Sequence, residues 1–398
     1  MPPGSQFGLA NLPYGIFSNG AASSGADNPR VGVRIGDSVL DLARALADDV
    51  FAEPSLNAFM AQGRARWSEV RAQITELLAG EQHRGTVEAA QRPLSAVRLH
   101  LPFTPGDYVD FFGNEYHAAN AGRIFRPGGE ALTPNWKHMP IGYHGRSGTI
   151  VPSGTPVPRP CGQRRGSGGP TFGPCRRLDF EAEVGFVVGA GSPGPVQVSE
   201  FADHVFGVFL LNDWSARDLQ AWESQPLGPF LAKSFATSVS PWVVPLEALE
   251  HAWVSPPPRD PEPLPYLADA GPQSPQGLDL ALEVRLNGHL VARPPYAGTY
   301  WTAAQMLAHM TVNGASVRTG DLFASGTVSG PERDQRGCLL ELSWGGAEPL
   351  TLPDGSVRSF LEDGDEVTIS ATAPAADGAR IGFGEVAGQI QPAASSEG

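Results

Sequence analysis

Residues 178–184 read Leu178-Asp179-Phe180-Glu181-Ala182-Glu183-Val184, an alternation with a period of two. Successive side chains of a strand project to opposite faces, so Asp179, Glu181 and Glu183 are expected on one face and Phe180, Ala182 and Val184 on the other. The first face is densely negative. Neighbouring carboxylates repel one another, and a strand that tolerates this is either bathed in solvent or neutralised by a cation.

Working outward, the apolar run Val205 to Leu211 reads as another strand, with Asp213 just past its end. Ser215-Ala216-Arg217-Asp218 then looks like a capping box opening a helix, and Thr302-Ala303-Ala304-Gln305 like a second. From about residue 101 the chain consists of strands separated by Gly/Pro-rich loops. Only 18% of residues are charged, against 48 Gly and 38 Pro, a balance that favours strands and ordered loops. The fold class is therefore mainly β, of α+β type. Residues 254–277 are too proline-rich for an element interior and read as a long surface excursion.

The first hundred residues form a separate module in this reading. Val31 to Ile35 alternates and turns at Gly36-Asp37, and Val70, Ile74, Leu77 and Leu78 predict a helix over 67–79 that stops at Gly80. No chemistry is evident there. The organisation is thus 1–100 as a supporting domain, 101–392 as the working domain and 393–398 as a flexible tail.

The net charge of −14, with no stripe of Lys or Arg, excludes nucleic acid as a partner. Three cysteines, Cys161, Cys175 and Cys338, make an odd count that argues against a disulfide framework and for reduced, cytoplasmic conditions. No segment reads as an export signal or a membrane span.

Isolated acids in apolar settings carry the chemistry. Asp110 sits among aromatics in Tyr108-Val109-Asp110-Phe111-Phe112, and seldom does an acid stand there for solubility. If Asp110, Glu181, Glu183 and Asp213 converge, they make an all-oxygen cage suited to Ca²⁺ or Mg²⁺. Zinc does not fit, because no Cys or His pair has ligand spacing. Glu341, expected inside an apolar strand over 339–344, needs a partner. A histidine such as His117, held by such an acid, would be a general base for water. The helix opened by Ser215 puts Arg217, Gln220 and Ser224 on one face, and with Lys233 they could form a cationic pocket for a developing oxyanion.

The strings Asn11-Leu12-Pro13-Tyr14-Gly15, Pro140-Ile141-Gly142-Tyr143-His144-Gly145-Arg146, Asn212-Asp213-Trp214-Ser215-Ala216-Arg217-Asp218, Pro226-Leu227-Gly228-Pro229-Phe230 and Ser325-Gly326-Thr327 follow one another in this order. With Asp110-Phe111, His117-Ala118, Lys233-Ser234-Phe235 and Arg380-Ile381-Gly382-Phe383-Gly384, they resemble the fumarylacetoacetase family over residues 7–391. The resemblance implies an SH3-like N-terminal β-barrel, a C-terminal mixed β-sandwich roll and a homodimer. It implies Ca²⁺ on Asp110, Glu181, Glu183 and Asp213. It implies Mg²⁺ on Asp213, Lys233 and Thr237, the lysine contributing backbone. His117 falls on the water-activating base and Glu341 on its orienting acid. Arg217, Gln220 and Lys233 fall on oxyanion-stabilising groups, and Arg126, Tyr143 and Thr327 on substrate contacts. The implied reaction cleaves a carbon–carbon bond of 4-fumarylacetoacetate to fumarate and acetoacetate, the last step of tyrosine and phenylalanine catabolism.

Phe112 and Ser224 stand where the family has substrate-contacting tyrosines, which removes two hydroxyls from the pocket. Tyr116 is the nearby source of a replacement hydroxyl. The competing readings are a related hydrolase or decarboxylase acting on another β-diketo acid, of acylpyruvate type, and a non-catalytic β-sandwich stabilised by Ca²⁺.

Overall fold

The computed structural model describes residues 5–20, 28–268 and 277–394. The structure is mainly β, built from mixed sheets. In the N-terminal part, strands β1 (Tyr14–Asn19), β2 (Arg30–Ile35) and β3 (Ser38–Asp41) form an antiparallel meander. Helix α1 (Arg64–Ala79) follows, with Gly80 at its C-cap as the sequence predicts. It buries Trp67, Val70, Ile74 and Leu77.

The working part contributes β4 (Tyr108–Phe111), α2 (Glu115–Phe125), β5 (Gly142–His144), β6 (Ala182–Val188), β7 (Val205–Asp213), α3 (Arg217–Glu223), β8 (Thr237–Val239) and β9 (Trp242–Pro245). After these come β10 (Ala281–Leu286), α4 (Ala303–Thr311), β11 (Leu322–Ala324), the single-turn α5 (Leu339–Leu342), β12 (Glu366–Pro374) and β13 (Arg380–Gln391).

One sheet of thirteen described strands runs from the strand Gln91–Pro93 through β3-β2-β1-β9-β7-β6-β11-β4-β5 along its main path. The N-terminal strands extend this sheet directly, with Tyr14 opposite Val243 and Gly15 opposite Trp242. Among the described residues the path is open, and no barrel closes on itself. A second sheet of five strands has β10, β12 and β13 at its centre. The two sheets enclose the main core, and a second core lies between α1 and the other face of the large sheet. Strand β7 serves both. Val208 and Leu210 point into the main core, and Phe209 and Leu211 into the second, which is why the run is continuously apolar. Trp67 of α1 meets Phe206 edge-to-face at 5.3 Å, so the module is welded to the working part.

Three sequence readings change here. Ser215-Ala216 is a short strand paired with Leu178-Asp179, and α3 starts two residues later without a side-chain cap. The Ser215 hydroxyl donates to the Asp213 carbonyl instead. Glu341 lies in α5, not in a strand. The 254–277 segment is tied down: Trp253-Val254 pairs with Gly277-Leu278, Leu267 is fully buried, and Gln305 Nε2 donates to its carbonyl. Residues 269–276 within it, and 395–398 of the expected tail, lie outside the described residues. The Thr302 capping box is present as expected.

Candidate metal centre and active site

Side chains directly opposite one another on paired strands share a face. Asp110 faces Ala324, which faces Gly185, two residues from Glu183. Glu183 faces Leu211, two residues from Asp213, and Asp213 faces Thr237. Register alone therefore puts Asp110, Glu183, Asp213 and Thr237 on one face at one end of the sheet, from four strands. Glu181 joins from the bend just before β6.

Ligand oxygens of Asp110, Glu181, Glu183 and Asp213 all lie within 4.8 Å of one another, and all four residues are buried. Both Glu183 oxygens and Asp110 Oδ1 are buried without a hydrogen-bond partner. Such atoms are costly unless something answers them. Lys233 Nζ bonds Glu181 and, at 3.0 Å, Asp213 Oδ2, while Arg217 Nη1 lies 2.8 Å from Glu181 Oε1. Two cations among this many acids leave an excess of negative charge, and the unanswered oxygens are those of hard-cation ligands. The residues fit a divalent ion.

Burial, then the charge of Asp213, holds the Asp110 carboxyl well above the usual range. Burial, then Asp110, does the same to Glu183. Burial also raises Asp213, with Lys233 pulling the other way. For Glu181 burial pushes up, but Lys233 and Arg217 overcome it and keep the group ionised.

Asp179 does not join this cluster. The strand breaks at Phe180-Glu181, and Asp179 turns instead to Arg217 Nε at 2.9 Å.

Beside the acids, His117 sits on the buried face of α2, whose first turn is capped by Asn114 accepting from the His117 amide. Its Nδ1 is 2.6 Å from Glu341 Oε2, and its Nε2 is 4.0 Å from Glu181 Oε1. Glu341 also accepts from Asn120 Nδ2 at 2.9 Å, Ser329 Oγ at 2.8 Å and Cys338 Sγ at 3.2 Å. Burial opposes its ionisation, yet His117, Asn120 and Ser329 lower its pKa. The sequence reading gave Asn120, Ser329 and Cys338 no role at this site; an Asn three residues before His117, a helix N-cap spacing, is the signal that could have placed His117 in the first turn of a helix.

Asp110, His117, Glu181, Glu183 and Lys233 open into a cavity of about 750 Å³. Arg217, Gln220 and Ser224 line it together, as their spacing predicts. Arg217 Nη1 also reaches Gln220 Oε1 at 3.1 Å, and its buried Nη2 has no partner. Thr327 Oγ1 is likewise buried and unpaired. Gly326 has φ +74°, and a Cβ there would stand 2.1 Å from the Phe111 carbonyl, so only glycine lets Thr327 reach the cavity. Tyr143 donates to Asp213 Oδ2 at 2.8 Å, and Thr237 to Asp213 Oδ1 at 3.2 Å. Asp213 and Thr237 line a second cavity of about 280 Å³, and Lys233 lines both. Arg126 is exposed at the wall of the large cavity. Phe112 stacks edge-on against His117 at 5.3 Å, and Ser224 gives its hydroxyl to the Gln220 carbonyl. Tyr116 is 42% exposed and does not line the cavity, so it supplies no replacement hydroxyl.

The family models named "Fumarylacetoacetate (FAA) hydrolase C-terminal" and "Fumarylacetoacetase N-terminal" match residues 109–391 and 10–102. The chain belongs to the fumarylacetoacetate hydrolase family. Among its relatives in that family, the fumarylacetoacetase of Bos taurus is 46% identical, the alignment covering 98% of this chain and 97% of the relative. That of Caenorhabditis elegans is 47% identical, covering 99% and 98%. A solved fumarylacetoacetate hydrolase from Exiguobacterium antarcticum shares the family fold at TM-score 0.56 and 17% identity, covering 96% of this chain and 99% of that one. Among the described residues no helix is long and apolar enough to cross a membrane.

Proposed function

We propose that this enzyme hydrolyses 4-fumarylacetoacetate to fumarate and acetoacetate. The observation that carries the reading is the convergence of a buried four-acid cage, a His117–Glu341 pair and the unengaged Nη2 of Arg217, with Asp110, Glu181, Glu183, His117 and Arg217 lining one cavity. Near-full-length similarity to fumarylacetoacetases supports the substrate.

In this reading Asp110, Glu181, Glu183 and Asp213 hold Ca²⁺. Asp213, Thr237 and the Lys233 backbone hold Mg²⁺, at the second cavity. When bound, the ion supplies Lewis-acid charge to the oxygens of the 1,3-diketone. Glu341 fixes His117 with its hydrogen on Nδ1, leaving Nε2 to take a proton from water. The hydroxide adds to the carbonyl next to the fumaryl double bond. Arg217 Nη2, Gln220 and Lys233 meet the charge that develops on that oxygen. When the carbon–carbon bond breaks, the acyl carbon leaves as fumarate and the proton held on His117 is available to the departing carbon, which becomes the methyl group of acetoacetate. Arg126, Tyr143 and Thr327 position the substrate, with Phe112 and Ser224 forming part of its wall.

The wider reading is of a cytoplasmic homodimer. Residues 1–100 form an SH3-like supporting domain and 101–392 a mixed β-sandwich roll. The test is a metal-supplemented assay that follows loss of the diketone absorbance, with mass analysis of the products. Fumarate and acetoacetate are expected. Turnover of an acylpyruvate with none of fumarylacetoacetate would overturn the substrate assignment.

A further inference from the structure

We propose that Asp179 is a positioning residue that sets, through one carboxylate, both the guanidinium of Arg217 and the backbone that carries Glu341. The inference rests on the active-site reading above and extends it to a residue outside both the metal cage and the cavity.

Asp179 is fully buried, and each of its oxygens accepts two hydrogen bonds. Oδ1 takes the amides of Phe180 at 2.8 Å and Leu339 at 2.7 Å. Oδ2 takes Arg217 Nε at 2.9 Å and the Leu340 amide at 2.9 Å. Leu339 and Leu340 open α5, and the next residue is Glu341, the acid that grips His117. One side chain thus stands at the junction of two catalytic arms from distant parts of the chain. On the Arg217 side, Asp179 engages Nε while Glu181 and Gln220 engage Nη1, so Nη2 is the nitrogen left without a partner in a residue that lines the cavity. Rotating the guanidinium would exchange those roles. On the Glu341 side, the two amides fix the start of a single turn that has no side-chain cap. A group held so precisely in a preorganised site acts on rate more than on binding, because misplaced donors lose their effect mainly in the transition state.

The isosteric Asp179→Asn change removes the charge and presents an amide donor to a site full of donors. We expect kcat to fall by about 10² or more, with KM within about threefold of the unsubstituted enzyme. Calcium affinity, measured by calorimetry on the folded variant, should stay within about threefold, since no cage ligand is altered. Combined with Arg217→Leu, the loss should fall well short of the product of the two single losses, because both act partly through one guanidinium. If Asp179→Asn does not fold, Asp179→Glu keeps the charge and shifts it by one methylene, and the same loss of kcat is expected. A folded, calcium-binding Asp179 variant with normal kcat overturns the inference, as does full multiplication of the losses. If Arg217→Leu is slow while the Asp179 variant is not, only this inference fails. A normal kcat in Arg217→Leu refutes the active-site reading itself, and the inference with it.

Discussion

His117 carries different duties on its two ring nitrogens, one bonded to Glu341 and one turned toward the acid cage. Replacing it with alanine is expected to lower kcat by at least about 10²–10⁴ while leaving calcium binding intact, since all four cage ligands are carboxylates. Rate measurements beside calcium calorimetry check this, and normal turnover in the folded variant would sink the assignment. Glu341→Gln should also be severe, because the charge supporting the imidazole is gone. At Phe112 and Ser224 the structure sharpens the expectation. The serine hydroxyl is consumed inside α3 and Phe112 offers only a ring edge to His117. Phe112→Tyr with Ser224→Tyr should lower KM for fumarylacetoacetate about tenfold or more with little change in kcat, a hydrogen bond to a charged group contributing roughly 1.5–3 kcal/mol. Weaker binding together with slower turnover would point to a pocket shaped for another acyl group. The cage acids and Glu341 stood out because an ionisable group in an apolar string is conspicuous in one dimension, whereas His117, in the polar stretch Asn114-Glu115-Tyr116-His117, drew its role from the resemblance. Asn120 and Ser329 were not, because small polar residues are ordinary in sequence and their shared partner, Glu341, becomes a neighbour of Asn120 only after the chain has folded.

At the level of elements, period-two reading located β6 and sent Phe180, Ala182 and Val184 into the main core, as observed. It placed Asp179 on one face with Glu181 and Glu183 because alternation cannot reveal where a strand breaks. Glu341 was assigned to a strand for a related reason. The four residues Leu339–Leu342 barely exceed one helical turn, too few to display a period of 3.6. The capping box at Ser215 failed because Ser215-Ala216 pairs as a strand with Leu178-Asp179 and the helix begins only at Arg217, whereas Thr302 stands at the N-cap of its helix and its hydroxyl oxygen accepts from the Gln305 amide. Backbone conformation at the end of β11 gives a direct test. Gly326→Ala must force a Cβ against the Phe111 carbonyl at positive φ. A loss of about 1–3 kcal/mol in stability is expected, with a raised KM as Thr327 is displaced. Thermal unfolding and steady-state kinetics would show both, and an unchanged KM would remove Thr327 from the substrate contacts.

Across the whole molecule, the cage makes stability depend jointly on metal and pH. Burial and mutual repulsion raise Asp110, Glu183 and Asp213 in the ion-free fold, against the single downward shift of Glu181. An acid whose folded pKa exceeds its unfolded value keeps its proton longer in the fold, so the ion-free protein loses stability as pH rises above about 4. A bound cation offsets that repulsion. Chelation should therefore abolish turnover and lower Tm, and the gap in Tm between calcium-loaded and chelated protein should widen between about pH 5 and 8. A gap that stays flat or narrows would argue against the cage. The register of β1 on β9 has a consequence of another kind. Cutting away the first hundred residues would not uncover a finished surface but would unzip the large sheet, stripping Trp242 and Val243 of the strand they face. Such an edge templates pairing with a second molecule. A truncated chain beginning at residue 101 is expected to yield particles whose size in light scattering grows with protein concentration, rather than a smaller enzyme.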